Sequence, residues 1–91
     1  MMTTVKEAMT YIENNNKYKH YLILLVYHHN DDEMWTYNEV FKYWEGYDMD
    51  LADQHEFDDR FIEGMEIDTY HKEVTIYLTD EDMAQYNRRV A

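Results

Sequence analysis

The 91-residue chain contains no cysteine, no proline, no serine and only two glycines. Without Cys there is no disulfide, no thiolate nucleophile and no thiolate metal ligand, a composition that fits a reducing compartment. Without Ser as well, both Ser-His-Asp and Cys-His arrangements are out of reach, and no activating signature surrounds any Thr. Gly46 and Gly64 are isolated and cannot form a phosphate-cradling loop. No repeat, linker or low-complexity run divides the chain, so residues 1–91 read as one domain. Long apolar runs are missing too. Tyr21 to Tyr27 is the longest, far below the roughly 18 residues of a membrane helix, and Met1-Met2-Thr3-Thr4 lacks the regions of a signal peptide. A soluble, cytoplasmic protein is expected.

Positive charge is also scarce: 8 Lys+Arg stand against 20 Asp+Glu, for a net charge of −12 with His neutral and a pI near 4.5. Such a chain repels nucleic acid and anionic lipid and attracts basic surfaces, so neither nucleic acid nor membrane is an expected direct partner. What is abundant is core-forming residue: 45% hydrophobic and 16% aromatic, with ten Tyr. That excludes a disordered acidic tail. A chain of this size builds one core and no roofed active-site cleft, so an enzyme is not expected.

Thr4 and Glu7 form a capping-box signal, and Val5, Ala8, Met9 and Ile12 recur at helical spacing, which predicts a helix from Thr4 to Asn14. Lys19 to His29 is a near-continuous apolar and aromatic stretch, expected as a central strand. Asn30-Asp31-Asp32 reads as a turn and Met34 to Tyr37 as a short partner strand. Val40, Phe41 and Trp44 fit a second helix stopped near Gly46, with Trp44 in the core. From Asp50 to Glu63, Leu51, Phe57, Phe61 and Ile62 gather on one side of a helical wheel, opposite Asp53, Glu56, Asp59 and Glu63. Met65 to His71 and Glu73 to Thr79 read as strands. Thr79 and Asp82 signal a last helix carrying Met83, Tyr86, Asn87 and Val90 on one face. The expected class is α+β, a small, largely antiparallel sheet packed with about four helices as one compact layer pair.

Five histidines, at 20, 28, 29, 55 and 71, invite a metal reading, but no HExxH pair or comparable ligand spacing is present. Asp48-Met49-Asp50 opens like a calcium loop. Ala52 and Asp53 then occupy the places of a ligand and the required Gly, and Asp59 that of the bidentate Glu. No metal or other cofactor is expected.

The negative charge is concentrated. Residues 31–82 carry eighteen acids and three bases, and Glu45 to Asp68 alone carries ten acids and one base, Arg60. Asp80, Glu81 and Asp82 are set aside, since acids in a first helical turn are stabilised by the macrodipole. The candidate partner-binding residues are therefore Glu45, Asp48, Asp50, Asp53, Glu56, Asp58, Asp59, Glu63, Glu66 and Asp68. Like charges at i, i+3 and i, i+4 each cost a helix about 0.2–0.5 kcal/mol, so a face needed only for solubility would interleave Lys or Arg. Carboxylates on a rigid scaffold at this density match the spacing of backbone phosphates closely enough to enter a groove built for DNA.

In size, charge, absence of Cys and the acidic Glu45–Asp68 segment, the chain resembles the Arn-type anti-restriction proteins of T-even-like phages. That resemblance implies a DNA mimic, dimeric, that blocks a host restriction endonuclease of the McrBC type in the host cytoplasm. The competing expectation is an acidic adaptor for a basic surface unrelated to DNA, such as a histone-like protein or RNA polymerase. A cation-responsive protein is a further alternative.

Overall fold

Helix α1, Val5–Glu13, starts where Thr4 and Glu7 place it. The Thr4 hydroxyl accepts from the Glu7 N–H at 3.3 Å, and the Glu7 carboxylate accepts in return from the Thr4 N–H at 3.3 Å. Such reciprocal capping satisfies two backbone donors that a helix start otherwise leaves open. In the computed structural model, residues 3–27, 30–46, 49–52, 56–82 and 88 are described. After α1 come a 3-10 turn, Asn16–Tyr18, and six strands: β1 Leu22–Tyr27, β2 Asn30–Asn38, β3 Tyr43–Gly46, β4 Met49–Ala52, β5 Arg60–Asp68 and β6 Glu73–Asp82.

The strands form one sheet in the order β4-β3-β2-β1-β6-β5. Every neighbouring pair is antiparallel except β1 and β6, which run parallel in register from Leu22 opposite Glu73 to Tyr27 opposite Leu78. The expected central strand is thus confirmed in β1, paired on both sides. Alternation sends Ile23 and Leu25 of β1, Trp35 of β2, Trp44 of β3 and Val74, Ile76 and Leu78 of β6 into one core with Val5, Ala8 and Ile12 of α1. Burying each large aliphatic here contributes about 1.5–3 kcal/mol. Residues 3 and 4 tie the helix start to β5: the Ile62 N–H donates to the Thr3 carbonyl at 2.9 Å, and Thr4 bridges Phe61.

The expectation of four helices is overturned. The described residues are mostly sheet, with one α-helix, and the sheet is mixed. Asn30, Asp31 and Asp32 are the start of β2, not a turn. Val40 and Phe41 are 83% and 70% exposed at the tip of a β2–β3 turn, while Trp44, 1% exposed, is in the core as expected but from a strand. Among the described residues the acidic helix over Asp50–Glu63 is absent: 50–52 belong to β4, 56–59 to a turn and 60–63 to β5, while 53–55 lie outside the described residues. Phe57 and Phe61 are both buried, as expected, but from a turn and a strand instead of a helix. The like-charge repulsion that marks this segment opposes a helix; a strand sends alternate side chains to opposite faces. Strands near Met65–His71 and Glu73–Thr79 are present as the β5–β6 hairpin, but β6 runs through Asp82, past the expected helix cap. Of the last helix, 83–87 and 89–91 lie outside the described residues, and Arg88 is helical.

Candidate partner-binding surface

The register gives the sheet two dissimilar ends. At one, Leu22 of β1 lies beside Glu73 of β6, and Ile23 beside Tyr37 of β2. The turns at 39–42 and 69–72 and the 3-10 turn also sit at this end, and with them Lys17, Lys19, Lys42 and Lys72. At the other end Tyr27 pairs with Asn30 and Leu78, and Arg60 with Asp82. Here β2 supplies Asp31, Asp32 and Glu33, β6 supplies Asp80, Glu81 and Asp82, and the turn before β5 supplies Glu56, Asp58 and Asp59.

Beside these nine acidic positions the described bases include Arg60, at the start of β5, and Lys6, in the first turn of α1. Arg60 is committed to the fold: its Nη2 donates to the Thr79 carbonyl at 3.0 Å, and its guanidinium lies 5.4 Å from the Tyr27 ring centroid. The backbone N–H of Lys6 donates to the Asp58 carbonyl at 3.2 Å, which brings the N-terminus of α1 to the same end. The partial positive charge of a helix N-terminus therefore stands beside the acidic turn at 56–59. β2 and β6 flank β1, so their acidic tips stand two strand spacings apart, about 9.5 Å.

Of the ten residues predicted from sequence, Glu56, Asp58 and Asp59 fall within this end. Glu63, exposed, sits at a register shift in β5. Glu66 and Asp68 continue along β5 toward the opposite end: Glu66 accepts from the Tyr77 hydroxyl at 3.2 Å, and Asp68 closes the 69–72 turn. Glu45 is exposed on β3, paired with Thr36, several strands from the rest. Asp50 lies in the edge strand β4, while Asp48 and Asp53 are outside the described residues. The predicted set is therefore not one face.

The acids that do gather include Asp80, Glu81 and Asp82, which sequence reasoning set aside as helix-cap residues. The two-residue period of Val74, Ile76 and Leu78 runs straight into Asp80 and Asp82, a signal that the strand continues.

Ionisation is perturbed elsewhere. Burial, with help from the carboxylates of Glu13 and Glu39, holds the Tyr37 phenol above its usual range. The His71 backbone N–H and then its imidazole hold Asp68 below the usual carboxylate range, and hydrogen bonding to Asp68 raises His71. Among the described residues no group of three His, Asp or Glu is arranged to hold a metal ion, and no helix is long and apolar enough to cross a membrane. No protein-family model, curated protein or solved structure matches the chain.

Proposed function

We propose that this chain is a non-catalytic inhibitor that presents carboxylates in place of backbone phosphates and occupies the DNA-binding groove of a host defence nuclease, in the host cytoplasm. The observation that carries this reading is the collection of nine acidic positions from two strand ends and a turn at one end of the sheet. Neighbouring strands are about 4.8 Å apart, and residues on one side of a strand recur about every 6.6 Å. In DNA one strand carries a charge about every 3.4 Å of helix axis, and two strands face each groove. A sheet end therefore offers negative groups at comparable density. The likeness in size and charge to Arn-type anti-restriction proteins points to a restriction endonuclease of the McrBC type as the target.

Capture from a bacterial host lysate tests the reading. The bound partner is expected to be retained at low salt, to be released at high salt because exposed charges are screened, and to be displaced by duplex DNA. Replacing Asp31, Asp32, Glu33, Asp80 and Glu81 by Asn or Gln is expected to weaken capture by tenfold or more. A partner retained against excess duplex DNA would instead identify an acidic adaptor and remove the mimicry.

A further inference from the structure

A second site lies at the lysine-bearing end of the sheet. The last turn of α1, the 3-10 turn and the adjoining ends of β1 and β2 border a half-open pocket of about 490 Å³, within the span of roughly 300–1,000 Å³ typical of small-molecule sites. Part of its wall is aromatic and aliphatic. Tyr18 and Tyr21 meet edge to face with centroids 5.3 Å apart, and Tyr37 packs at 5.2 Å on the buried Trp44. Met9 and Ile12 of α1 complete the apolar lining.

Charges of both signs reach the same cavity. Glu13 and Glu39 approach from α1 and the β2–β3 turn, and both act on the Tyr37 phenol. Lys19 and Lys42 line it as well. Among the described residues no ion pair or side-chain hydrogen bond joins these carboxylates to these lysines, and the Tyr37 hydroxyl also has no hydrogen-bond partner.

Carboxylates and ammonium groups that share a cavity without neutralising each other remain available to a ligand carrying both signs. A phosphate-bearing ligand would meet the repulsion of Glu13, Glu39 and Glu45. A simple amine leaves the lysines unmatched, and a wholly apolar molecule engages none of these charges. The geometry points to a binding site for a free zwitterionic α-amino acid with a large apolar side chain. Its ammonium lies between Glu13 and Glu39 at the Tyr37 ring, its carboxylate lies at Lys19 and Lys42, and its side chain lies against Tyr18, Met9 and Ile12. Cation–π attraction adds to the ammonium contact. This site is independent of the acidic end and of the inhibitor reading.

Calorimetric titration of the full chain with L-phenylalanine tests it, with intrinsic tryptophan fluorescence as a second readout because Tyr37 contacts Trp44. Saturable binding to one site is expected, with phenethylamine and 3-phenylpropionate at least tenfold weaker because each lacks one charge. Glu13→Gln with Glu39→Gln, and separately Lys19→Gln with Lys42→Asn, are each expected to weaken L-phenylalanine by tenfold or more while the thermal melt is kept. Asn is chosen at position 42 because it tolerates the left-handed backbone there, φ 56°. If a double variant does not fold, Glu39→Gln alone, at an exposed turn position, gives the same readout with a smaller loss. No saturable signal with L-phenylalanine, L-leucine or L-methionine, equal binding of phenethylamine, or unchanged affinity in the folded charge variants would each overturn the assignment.

Discussion

Gly46 stands directly opposite Trp35 across the β2–β3 ladder, and the indole of Trp35 occupies the space that a Cβ at position 46 would need. Trp35 cannot swing away freely. It is 8% exposed and packs against Tyr27 at 5.3 Å and Phe57 at 5.2 Å between ring centroids. Gly46→Ala is therefore expected to overpack this layer and cost about 1–3 kcal/mol. Urea denaturation should show a lower midpoint with an unchanged slope, and Gly64→Ala, where a Cβ meets open space, serves as the matched control.

The Asp68–His71 pair makes the β5–β6 turn pH-sensitive. His71, raised above its ordinary 6.5, adds stability that is complete below that value and is lost as pH rises through the folded value. Asp68, lowered from its ordinary 3.8, adds stability that is complete above that value and is lost as pH falls. Both contributions coincide between pH 3.8 and 6.5. An NMR titration of the imidazole should give a midpoint above 6.5 that returns toward the ordinary value in Asp68→Asn. That variant should keep the turn, because Asn38 already does the same work in the other hairpin.

Those two hairpins share one turn design. Asn38 Oδ1 accepts from the N–H groups of Val40 and Phe41, as Asp68 Oδ1 accepts from those of Tyr70 and His71. Each turn closes with a lysine in the left-handed region, Lys42 at φ 56° and Lys72 at φ 57°. A side chain in that region costs roughly 1–2 kcal/mol, part of which Gly recovers and part of which its own chain entropy offsets. Lys72→Gly should hold or raise stability by up to about 1 kcal/mol, whereas the β-branched Lys72→Val should lower it by about 1–2 kcal/mol. Thermal melts of the two variants decide the sign.

At the acidic end, binding and stability should pull in opposite directions. Like charges crowded at one end of a sheet repel one another, and across exposed spacings of about 9.5 Å the repulsion is strongest at low salt. The variant with Asp31, Asp32, Glu33, Asp80 and Glu81 neutralised should therefore melt higher than the parent in low salt, with the gap narrowing as salt rises. Asp82 is spared because it pairs with Arg60 in the sheet register. A melting gap that does not change with salt would mean that these acids do not repel one another.

The elements legible in the sequence are those specified by near neighbours. Thr4, Glu7 and the Val5–Ala8–Ile12 stripe define α1 within a few residues, and the density of apolar residues after Tyr21 marks β1 as a central strand, though Leu22 on its other face is 43% exposed. Val74, Ile76 and Leu78 reveal β6 through strict alternation. The failures involve partners distant in sequence. Leu51, Phe57, Phe61 and Ile62 are too sparse to separate a helix period from two strands and a turn, and what decides between them is the pairing of β5 with β6 and with Thr4. Val40 and Phe41 imitate a helix stripe with Trp44, although they are solvent-facing turn residues. For the candidate surface, composition disclosed the excess of acid. Its assembly depended on where β2 and β6 end, which only the sheet register determines.

The parallel ladder between β1 and β6 joins residues about fifty positions apart, and the three least exposed residues of β6 close the core over β1. A nascent chain leaving the ribosome therefore carries Ile23 and Leu25 without their β6 partners until Leu78 has been synthesised and has cleared the exit tunnel. Slow steps late in translation should lengthen the interval in which this protein is vulnerable to proteases and depends on chaperones.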